Sequence, residues 1–454
     1  MKNILIVSDA FLQGGLESYI GEQTEAYKKH GVNSFLACEN LNKNKSIPFE
    51  KIFTNFNFAP QNGQLASQSI LKNSENLSKL CQENHIDYIE CQPFWCLIPA
   101  AIAAQKNNIP ISYTLHGTAS GNFIDSSYYE ACLLFYICLC FGLDKIFAVS
   151  ERLANIYSYA SKDISISRNG IDTNNLPARK FSITNQFAIA SRLDTPKTSV
   201  IKNFLPKIYK IKNAKKIHIY GDGDKAQELQ NYIEKKNFSD KIKLLGWEPN
   251  LPHRLQQEQY DCVFGVGRII TDAISSATPA GILGYGGFTG IVNKNNLNEL
   301  AKTNFISWDT QNDQLLQEEL DRLYKNPKNY IFSKDDLADL DATRNWRTHV
   351  EQIRKVKHQD NIIMDLVTDM LANHNNENLL LDANLLPSFQ QILTNIDDSQ
   401  LIYTGLLKTL YEKLTYQHAK QENNLNAELQ KIKSSTSWRI TKPIRRIKDF
   451  LNSI

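Results

Sequence analysis

Residues 3–38 read NILIVSDAFLQGGLESYIGEQTEAYKKHGVNSFLAC and contain a complete β-α-β unit. The apolar run at 3–8 predicts a strand, the amphipathic stretch at 16–30 predicts a helix, and residues 33–37 predict a second strand. Strands joined through a helix of this length pair in parallel. This stretch therefore predicts the first part of a doubly wound parallel sheet.

The same alternation continues through the first half of the chain. Further strands are predicted at residues 88–91, 111–115 and 145–149, and a helix at 97–106 lies between the first two. These segments complete one α/β unit of the Rossmann type. We assign residues 1–175 to it.

A second series of strands follows a polar stretch without periodicity that starts after Asp172. The strands of this series are predicted at residues 187–190, 216–220, 241–245, 262–265, 280–283 and 291–293. The predicted fold is therefore α/β with two tandem Rossmann-like domains, and the second domain spans residues 176–357. Ligands bind at the carboxyl ends of such strands, so the cleft between the domains is the predicted site.

The alternation ends before residue 358, and residues 358–454 are predicted to form a helical extension. Its helices are predicted at residues 361–373, 387–395 and 401–432. The final residues, 431–454, carry seven Lys and Arg side chains against one acid, with apolar residues at helical spacing. Such a basic amphipathic helix can lie on an anionic bilayer. A solvated helix that packs on a partner coil is the alternative.

Composition excludes several classes of protein. A net charge of +3 over 454 residues is too near balance for a nucleic-acid partner. The eight cysteines form no C-x-x-C pair, which indicates a reduced compartment without a disulfide framework. The chain opens directly into a strand, so we expect no signal peptide and a cytoplasmic location, with peripheral contact to the inner face of the plasma membrane as an extension of that expectation. The longest apolar run, 131–143, is shorter than the roughly 20 residues of a spanning helix. It is predicted to be a buried helix, with shallow membrane contact as the alternative.

Two predicted turns of the first domain carry candidate binding residues. Gly14 and Gly15 follow the first strand and open the first helix, where backbone can approach a ligand and a helix N-terminus favours an anion. The pattern G-x-G-x-x-G is absent, which disfavours a dinucleotide. His116 follows the strand at 111–115 and can hydrogen-bond a ligand hydroxyl or a developing charge. Ordinary turn roles are the alternative for both.

Two turns of the second domain carry further candidates. Arg192 offers a planar fork and Lys197 a point charge just after the strand at 187–190, and two cations there suit a diphosphate. The alternative is a solvated pair of charges.

The last turn spans residues 265–273, GVGRIITDA, and passes from a strand into a helix. Its glycines give the backbone conformational freedom, and the amides at the helix start can hold phosphate oxygens. The candidate binding residues of this turn are Arg268, Ile270, Thr271 and Asp272. Asp272 can accept from ribose hydroxyls, or can serve only as an acid near a helix start.

The order of these features resembles the GT-B fold retaining glycosyltransferases, group 1 or family 4-like, of the type that builds bacterial surface polysaccharides. The similarity spans about residues 1–355. Besides the four turns, it rests on the motifs His-Gly at 116–117, Val-Ser at 149–150, Arg-Asn-Gly-Ile-Asp at 168–172, Tyr-Gly-Asp-Gly at 220–223 and Leu-Gly-Trp at 245–247.

The resemblance implies the ligands and the reaction. A UDP- or GDP-linked sugar would be the donor, held mostly by the second domain, and a glycan or lipid-linked glycan would be the acceptor, held mostly by the first. Transfer would retain the anomeric configuration and need neither a cofactor nor a metal ion. The chain would thus be a hexosyltransferase that elongates a cell-surface polysaccharide or lipopolysaccharide.

The resemblance also implies roles for individual residues. Arg192 and Lys197 would hold the diphosphate, and Gly15 would close over it. His116 would contact the donor sugar, and Asp272 the ribose. The residues that would lie beside the nucleotide base are Gly221 and Trp247.

One departure from the family pattern concerns the donor sugar. These enzymes usually carry two glutamates eight positions apart, and Phe264 stands where the first belongs if Asp272 is the second. Phe264 cannot hydrogen-bond a hydroxyl, so Arg268 is the expected substitute contact. The departure leaves open a catalytically silent subunit that binds glycan or a partner transferase. A sugar-nucleotide epimerase of the same fold would need a pair of carboxylates that the sequence does not supply.

Overall fold

The computed structural model describes residues 1–12, 14–41, 49–58, 67–117, 129–158, 160–161, 163–307 and 315–373. The helices predicted at 387–395 and 401–432 and the basic segment 431–454 lie outside these residues. Within the described part of the chain, no helix is both long enough and apolar enough to cross a membrane.

The first domain is built on a seven-stranded sheet in which all neighbours pair in parallel. Its strands are β1 (Asn3–Phe11), β2 (Asn33–Leu41), β3 (Lys51–Phe53), β4 (Tyr88–Cys91), β5 (Ile111–Leu115), β6 (Lys145–Ala148) and β7 (Ile164–Ile166). They follow the order β3-β2-β1-β4-β5-β6-β7, so the strand order reverses beside β1. This reversal opens a crevice at the carboxyl end of β1.

Helices cover both faces of this sheet, because its strands are apolar along most of their length. They are α1 (Gly15–Lys29), α2 (Ser67–Glu83), α3 (Leu97–Asn107), α4 (Tyr129–Phe141) and α5 (Glu151–Ile156). The apolar run at 131–143 forms most of α4, and its residues 132–139 are buried in the domain core. Core burial is therefore the role of this helix, as predicted.

The second domain repeats the arrangement with six strands in the order β10-β9-β8-β11-β12-β13. The strands are β8 (Gln186–Ala190), β9 (Lys216–Tyr220), β10 (Ile242–Gly246), β11 (Cys262–Gly265), β12 (Ala280–Gly284) and β13 (Gly287–Ile291). All neighbours are parallel except β13, which folds back on β12 as an antiparallel hairpin. The two parallel-dominated sheets confirm the predicted α/β class with two Rossmann-like domains.

Among the described residues, helices and two short 3-10 segments complete the second half of the chain. The helices are α6 (Thr195–Tyr209), α7 (Ala226–Lys235), α8 (Leu251–Glu258), α9 (Arg268–Ser275), α10 (Leu297–Ala301), α11 (Leu315–Lys325), α12 (Ala342–Ile353) and α13 (Ile362–Asn373). The 3-10 segments are Pro327–Asn329 and Asp335–Leu340.

The last two helices return to the first domain, which differs from the predicted boundary at residue 357. Helix α12 packs against α1 and buries Val350 and Ile353 in the core around β1 and β2. Helix α13 packs against α2, α3 and α4. The apolar side chains of α12 pack in the core beside the first sheet, so residues 342–353 belong to the first domain and not to the second.

Candidate functional site

A cleft between the two domains gathers most of the predicted site residues. It encloses about 460 Å³ and is bounded by the carboxyl ends of strands from both sheets. The predicted residues that line it are Gly14, Gly15, His116, Arg192, Lys197, Gly221, Trp247, Arg268 and Asp272. We call this volume the interdomain cleft. It lies in the size range of sites for small ligands.

Two predicted binding residues lie away from the interdomain cleft. Ile270 is fully buried in the core of the second domain. Thr271 is 2% exposed, and its hydroxyl donates to the carbonyl of Arg268 at 2.9 Å. Ile270 packs in the core of its own domain, and Thr271 lines a neighbouring cavity together with Asp272 and Glu22, so neither side chain lies in the interdomain cleft.

Of the described helices that begin at the wall of the interdomain cleft, three place a glycine or a cation of their first turn in it. Helix α1 contributes Gly15, α6 contributes Lys197, and α9 contributes Arg268. The first amides of a helix lack intrahelical partners and carry the positive end of the helix dipole. Three such ends around one volume favour an anionic ligand.

Arg192 lies in the turn before α6 and Lys197 in its first turn, in different surroundings. The Arg192 side chain is 65% exposed, and its Nε donates to Asp194 at 3.0 Å. Asp194 also caps α6 by accepting from the backbone N–H of Lys197 at 3.2 Å. Burial and repulsion from Arg192 lower the pKa of Lys197, against a smaller opposing effect of Asp194. The ammonium of Lys197 therefore lies where a bound anion would offset its charge and that of Arg192.

Gly221 brings the β9 turn close to this pair of cations. A side chain at this position would start 1.8 Å from the carbonyl oxygen of Ser191, and the backbone φ of Gly221 is +149°. The amide of Gly221 donates to the carbonyl of Gly246 at 2.8 Å. Only glycine allows the ends of β8, β9 and β10 to approach this closely.

Aromatic side chains form the wall near β10. Trp247 follows β10 directly and is 39% exposed, which is unusual for a side chain of its size. Tyr220 lines the same wall, and its hydroxyl pairs with that of Tyr260 at 2.7 Å. An accessible indole face beside a polar wall suits stacking with a planar heterocycle.

Arg268 joins the two domains across the floor of the interdomain cleft. Its Nε donates to Asp272 of the same helix at 2.8 Å, and its Nη2 donates to Glu22 of α1. Although burial opposes it, the charges of Asp272 and Glu22 raise the pKa of Arg268. Arg268 is thus held as a cation by one carboxylate from each domain.

Phe264 occupies the position of the expected glutamate but lies in the core of the second domain. It is fully buried, and its ring centroid lies 5.0 Å from that of Phe204 and 5.7 Å from that of Phe288. Gly281 accommodates the ring, since a Cβ there would lie 2.6 Å from it. Phe264 therefore contributes packing and no polar contact to a ligand.

His116 lines the interdomain cleft and is held by groups behind it. Its Nε2 lies 2.5 Å from Oε1 of Gln92, and its ring packs edge-on against Tyr19 with centroids 4.7 Å apart. Burial lowers the pKa of His116 to about 3, which outweighs the opposing charge of Glu90. The imidazole is neutral at physiological pH.

Several residues in or beside the site were not predicted from the sequence. Glu22 contacts a partner 246 positions away, which no local motif reveals. Gln92 and Tyr285 follow β4 and β12, so their position after a parallel strand was the available signal. Among the described residues, no group of three or more His, Cys, Asp or Glu side chains is arranged to hold a metal ion.

Comparison with known proteins adds a family match and similar folds. Residues 13–175 match the family model of Glycosyltransferase Family 4. The chain is 24% identical over 258 residues to the lipopolysaccharide 1,6-galactosyltransferase of Escherichia coli (strain K12). This alignment covers 55% of this chain and 68% of that protein.

Solved structures share the two-domain architecture. The HepE protein of Anabaena in complex with UDP superposes with a TM-score of 0.57 at 18% identity, covering 78% of this chain and 100% of that one. The lipopolysaccharide outer core galactosyltransferase WaaB superposes with a TM-score of 0.52 at 15% identity, covering 77% of this chain and 99% of that one. The architecture is therefore that of the GT-B glycosyltransferases, as predicted.

Proposed function

We propose that this chain, which has the GT-B fold and matches the Family 4 model over residues 13–175, transfers a hexose from a nucleoside diphosphate donor to a glycan. Transfer retains the anomeric configuration and requires no metal ion or cofactor. The acceptor is a growing lipopolysaccharide or other surface polysaccharide, lipid-linked and presented at the cytoplasmic face of a membrane.

One observation carries this proposal: the N-termini of α1, α6 and α9 and the cations Lys197 and Arg192 line a single cleft. Lys197 and Arg192 supply the charge, and the first turns of α1, α6 and α9 supply oriented amides. A pyrophosphate is the leaving group of a nucleotide sugar, and negative charge grows on it as the sugar departs. Donors that are already oriented toward that charge stabilise the transition state more than the ground state.

The similar proteins support the choice of donor and acceptor. HepE was crystallised with UDP, with UDP and glucose, and with UDP-glucose. The Escherichia coli relative is a lipopolysaccharide 1,6-galactosyltransferase. A uridine diphosphate hexose is therefore the first donor to test, with a GDP sugar as the alternative, and Trp247 is the proposed platform for the base.

Retention of configuration asks little of side-chain bases in this site. In a front-face reaction the departing diphosphate oxygen can accept the proton of the incoming acceptor hydroxyl, so the bond to the leaving group breaks as the new glycosidic bond forms on the same face. The protein then orients both substrates, excludes water and stabilises the diphosphate. Lys197, Arg192 and the amide of Gly15 are the proposed contacts to that diphosphate.

The buried Phe264 favours a second candidate, a catalytically silent subunit that binds glycan or a partner transferase. It removes the side chain that usually hydrogen-bonds the donor sugar. Lys197 argues against this candidate, because a silent subunit gains nothing from a half-buried cation whose pKa is lowered by burial and by Arg192.

Calorimetry with UDP and with GDP separates the two candidates. We expect one of the two nucleotides to bind at micromolar to millimolar concentration, and binding of neither would favour the silent subunit. A mass-spectrometric screen of nucleotide sugars with lipid-linked acceptors then identifies the donor. Proton NMR of the first product gives the anomeric configuration, and an inverted product would refute the retaining reaction.

The basic segment 431–454 is the proposed contact with the membrane surface. Its seven cations against one acid suit an anionic bilayer. We expect the chain of residues 1–454 to sediment with vesicles that contain phosphatidylglycerol, and a chain ending at residue 430 to remain in the supernatant. Equal sedimentation of the two would refute this contact.

A further inference from the structure

The turn between β1 and α1 is held by a side chain that reaches back across it. Leu12 follows β1, and Gly14 and Gly15 lie on the wall of the interdomain cleft where α1 begins. We call these three residues the glycine turn. Glu17, in the first turn of α1, is 8% exposed, and its Oε1 accepts from the amide of Leu12 at 3.0 Å. Glu17 therefore joins the end of β1 to the start of α1.

This contact differs from the usual role of a glutamate at the third position of a helix. In a capping box, such a glutamate accepts from the amide of the N-cap residue, which is Gly14 here. Glu17 instead binds the amide two residues earlier, so it spans the glycine turn. No hydrogen bond joins the amides of Gly14 and Gly15 to another described residue. Those two amides therefore remain available to a ligand in the interdomain cleft.

Other contacts enclose the glycine turn on its remaining sides. The carbonyl of Gly14 accepts from the amide and the hydroxyl of Ser18, at 3.2 and 3.1 Å. A side chain at Gly14 would begin 3.1 Å from Oε2 of Glu17, and one at Gly15 would begin 3.7 Å from Cβ of Arg268 in the second domain. Glycine at both positions thus lets the backbone lie between the Glu17 carboxylate and the second domain.

The helix dipole alone does not explain the orientation of Glu17. An acid in the first turn of a helix is stabilised by the dipole, which accounts for the residue type. Burial of the carboxylate costs solvation, however, so the dipole by itself would leave the side chain in water. The hydrogen bond to Leu12 compensates for this burial and fixes the direction of the side chain.

We propose that Glu17 is a positioning residue: by accepting from Leu12 it holds the glycine turn so that the amides of Gly14 and Gly15 face the diphosphate of the donor. This role rests on the proposed sugar transfer. It requires an acceptor oxygen at position 17 and gains nothing from the negative charge, which repels a diphosphate. Two substitutions separate these properties. Glutamine keeps the acceptor and loses the charge, whereas methionine loses both and keeps nearly the same length.

The contact with Leu12 is tested first in the ligand-free protein, by hydrogen exchange resolved to single amides. We expect the Leu12 amide to exchange about tenfold faster in Glu17→Met than in wild type, because its acceptor is gone. Glu17→Gln should keep the wild-type rate. Glu25→Met is the matched control, since it makes the same change at an exposed position of the same helix. An unchanged Leu12 rate in Glu17→Met would overturn the proposal, whether or not the chain transfers a sugar.

The second test compares binding of a nucleoside diphosphate with binding of its nucleoside. The ligands are UDP and uridine, or GDP and guanosine if GDP is the nucleotide that binds. Glu17→Met should weaken the diphosphate about tenfold, as expected for impaired hydrogen bonds to a charged group, and should leave the nucleoside within about twofold of wild type. Glu17→Gln should bind the diphosphate at least as tightly as wild type does. A merely structural role would weaken both ligands together.

Three binding results would overturn the positioning role. Equal weakening of diphosphate and nucleoside in Glu17→Met would indicate general damage to the interdomain cleft. Equal loss of diphosphate binding in Glu17→Gln and Glu17→Met would assign the effect to the charge and not to the acceptor. Unchanged diphosphate binding in Glu17→Met would mean that the glycine turn needs no support. If wild type binds neither UDP nor GDP, the proposed transfer fails, and the exchange result still decides whether Glu17 holds the turn.

Discussion

Lys197 in the first turn of α6 and Arg192 in the turn before it are the two side chains proposed to bind the diphosphate. Replacement of either by Ala removes a proposed contact to the diphosphate, which should lower kcat/KM about a hundredfold or more, equivalent to about 2–4 kcal/mol. The Arg192 side chain is 65% exposed, so Arg192→Ala should change the free energy of unfolding by less than about 0.5 kcal/mol. Steady-state kinetics and urea unfolding measure the two effects.

The control for this pair is Lys202→Ala. Lys202 lies on the same helix but pairs with Glu228 outside the interdomain cleft. Its removal should leave kcat/KM within about twofold of the wild-type value. Wild-type rates in Lys197→Ala and Arg192→Ala would mean that the diphosphate is bound elsewhere.

The lowered pKa of Lys197 also predicts how donor capture depends on pH. Burial and the charge of Arg192 lower this pKa, so the ammonium loses its proton at a lower pH than an ordinary lysine does. A diphosphate binds the charged form better, and kcat/KM should therefore fall as pH rises through the pKa of the free enzyme. In Lys197→Arg the guanidinium stays charged, so that alkaline decline should disappear. The same decline in both proteins would assign it to another group.

At the level of whole elements, α12 stabilises the first domain, although it follows the second domain in the sequence. Ile353 is 1% exposed and packs in the core around β1 and β2. Ile353→Ala should cost about 2–5 kcal/mol of unfolding free energy. Hydrogen exchange should lose protection mainly in the peptides of β1 and β2 rather than β8 and β9. The exposed neighbour Glu351 provides the control, since Glu351→Ala should cost less than about 0.5 kcal/mol.

The strands and helices of both sheets could be predicted where they are long and apolar, as in β1, β5 and β9. The two edge strands β3 and β7 were missed because each has three residues and no alternation. The last predicted strand, 291–293, starts four residues after the observed start of β13 (Gly287–Ile291). The two glycines of β13 lower its strand propensity, so the sequence pattern did not reveal its beginning. The hairpin is held by its pairing with β12, which only the folded chain supplies.

The residues of the candidate site likewise differ in whether the local sequence could predict them. Residues that follow parallel strands, such as Gly15, His116 and Lys197, could be predicted because strand ends converge at one edge of a sheet. The burial of Ile270 and Thr271 depends on the rotation of α9, and the contact of Glu22 with Arg268 depends on how the two domains meet. Neither is encoded in local spacing.

At the level of the whole molecule, hydrogen bonds between described residues join the domains beside the interdomain cleft. Arg268 donates to Glu22, the amide of Arg152 donates to the carbonyl of Lys302 at 3.0 Å, and Asn169 donates to Asn304 at 2.9 Å. Of these three contacts between described residues, the first joins two charged side chains. The relative position of the domains should therefore be most sensitive to that pair.

Glu22→Ala should shift the chain toward a more open arrangement of its domains. The Glu22 side chain is 34% exposed, so we expect the loss to be about 1 kcal/mol, or a change of roughly fivefold in the ratio of open to closed forms. Small-angle X-ray scattering should show a larger radius of gyration for Glu22→Ala than for wild type, and the difference should shrink at high salt, where the pair is screened. Glu25→Ala is the control, because Glu25 is exposed one turn further along α1. A radius that changes equally in both variants would mean that the total charge of α1, and not the contact with Arg268, sets the distance between the domains.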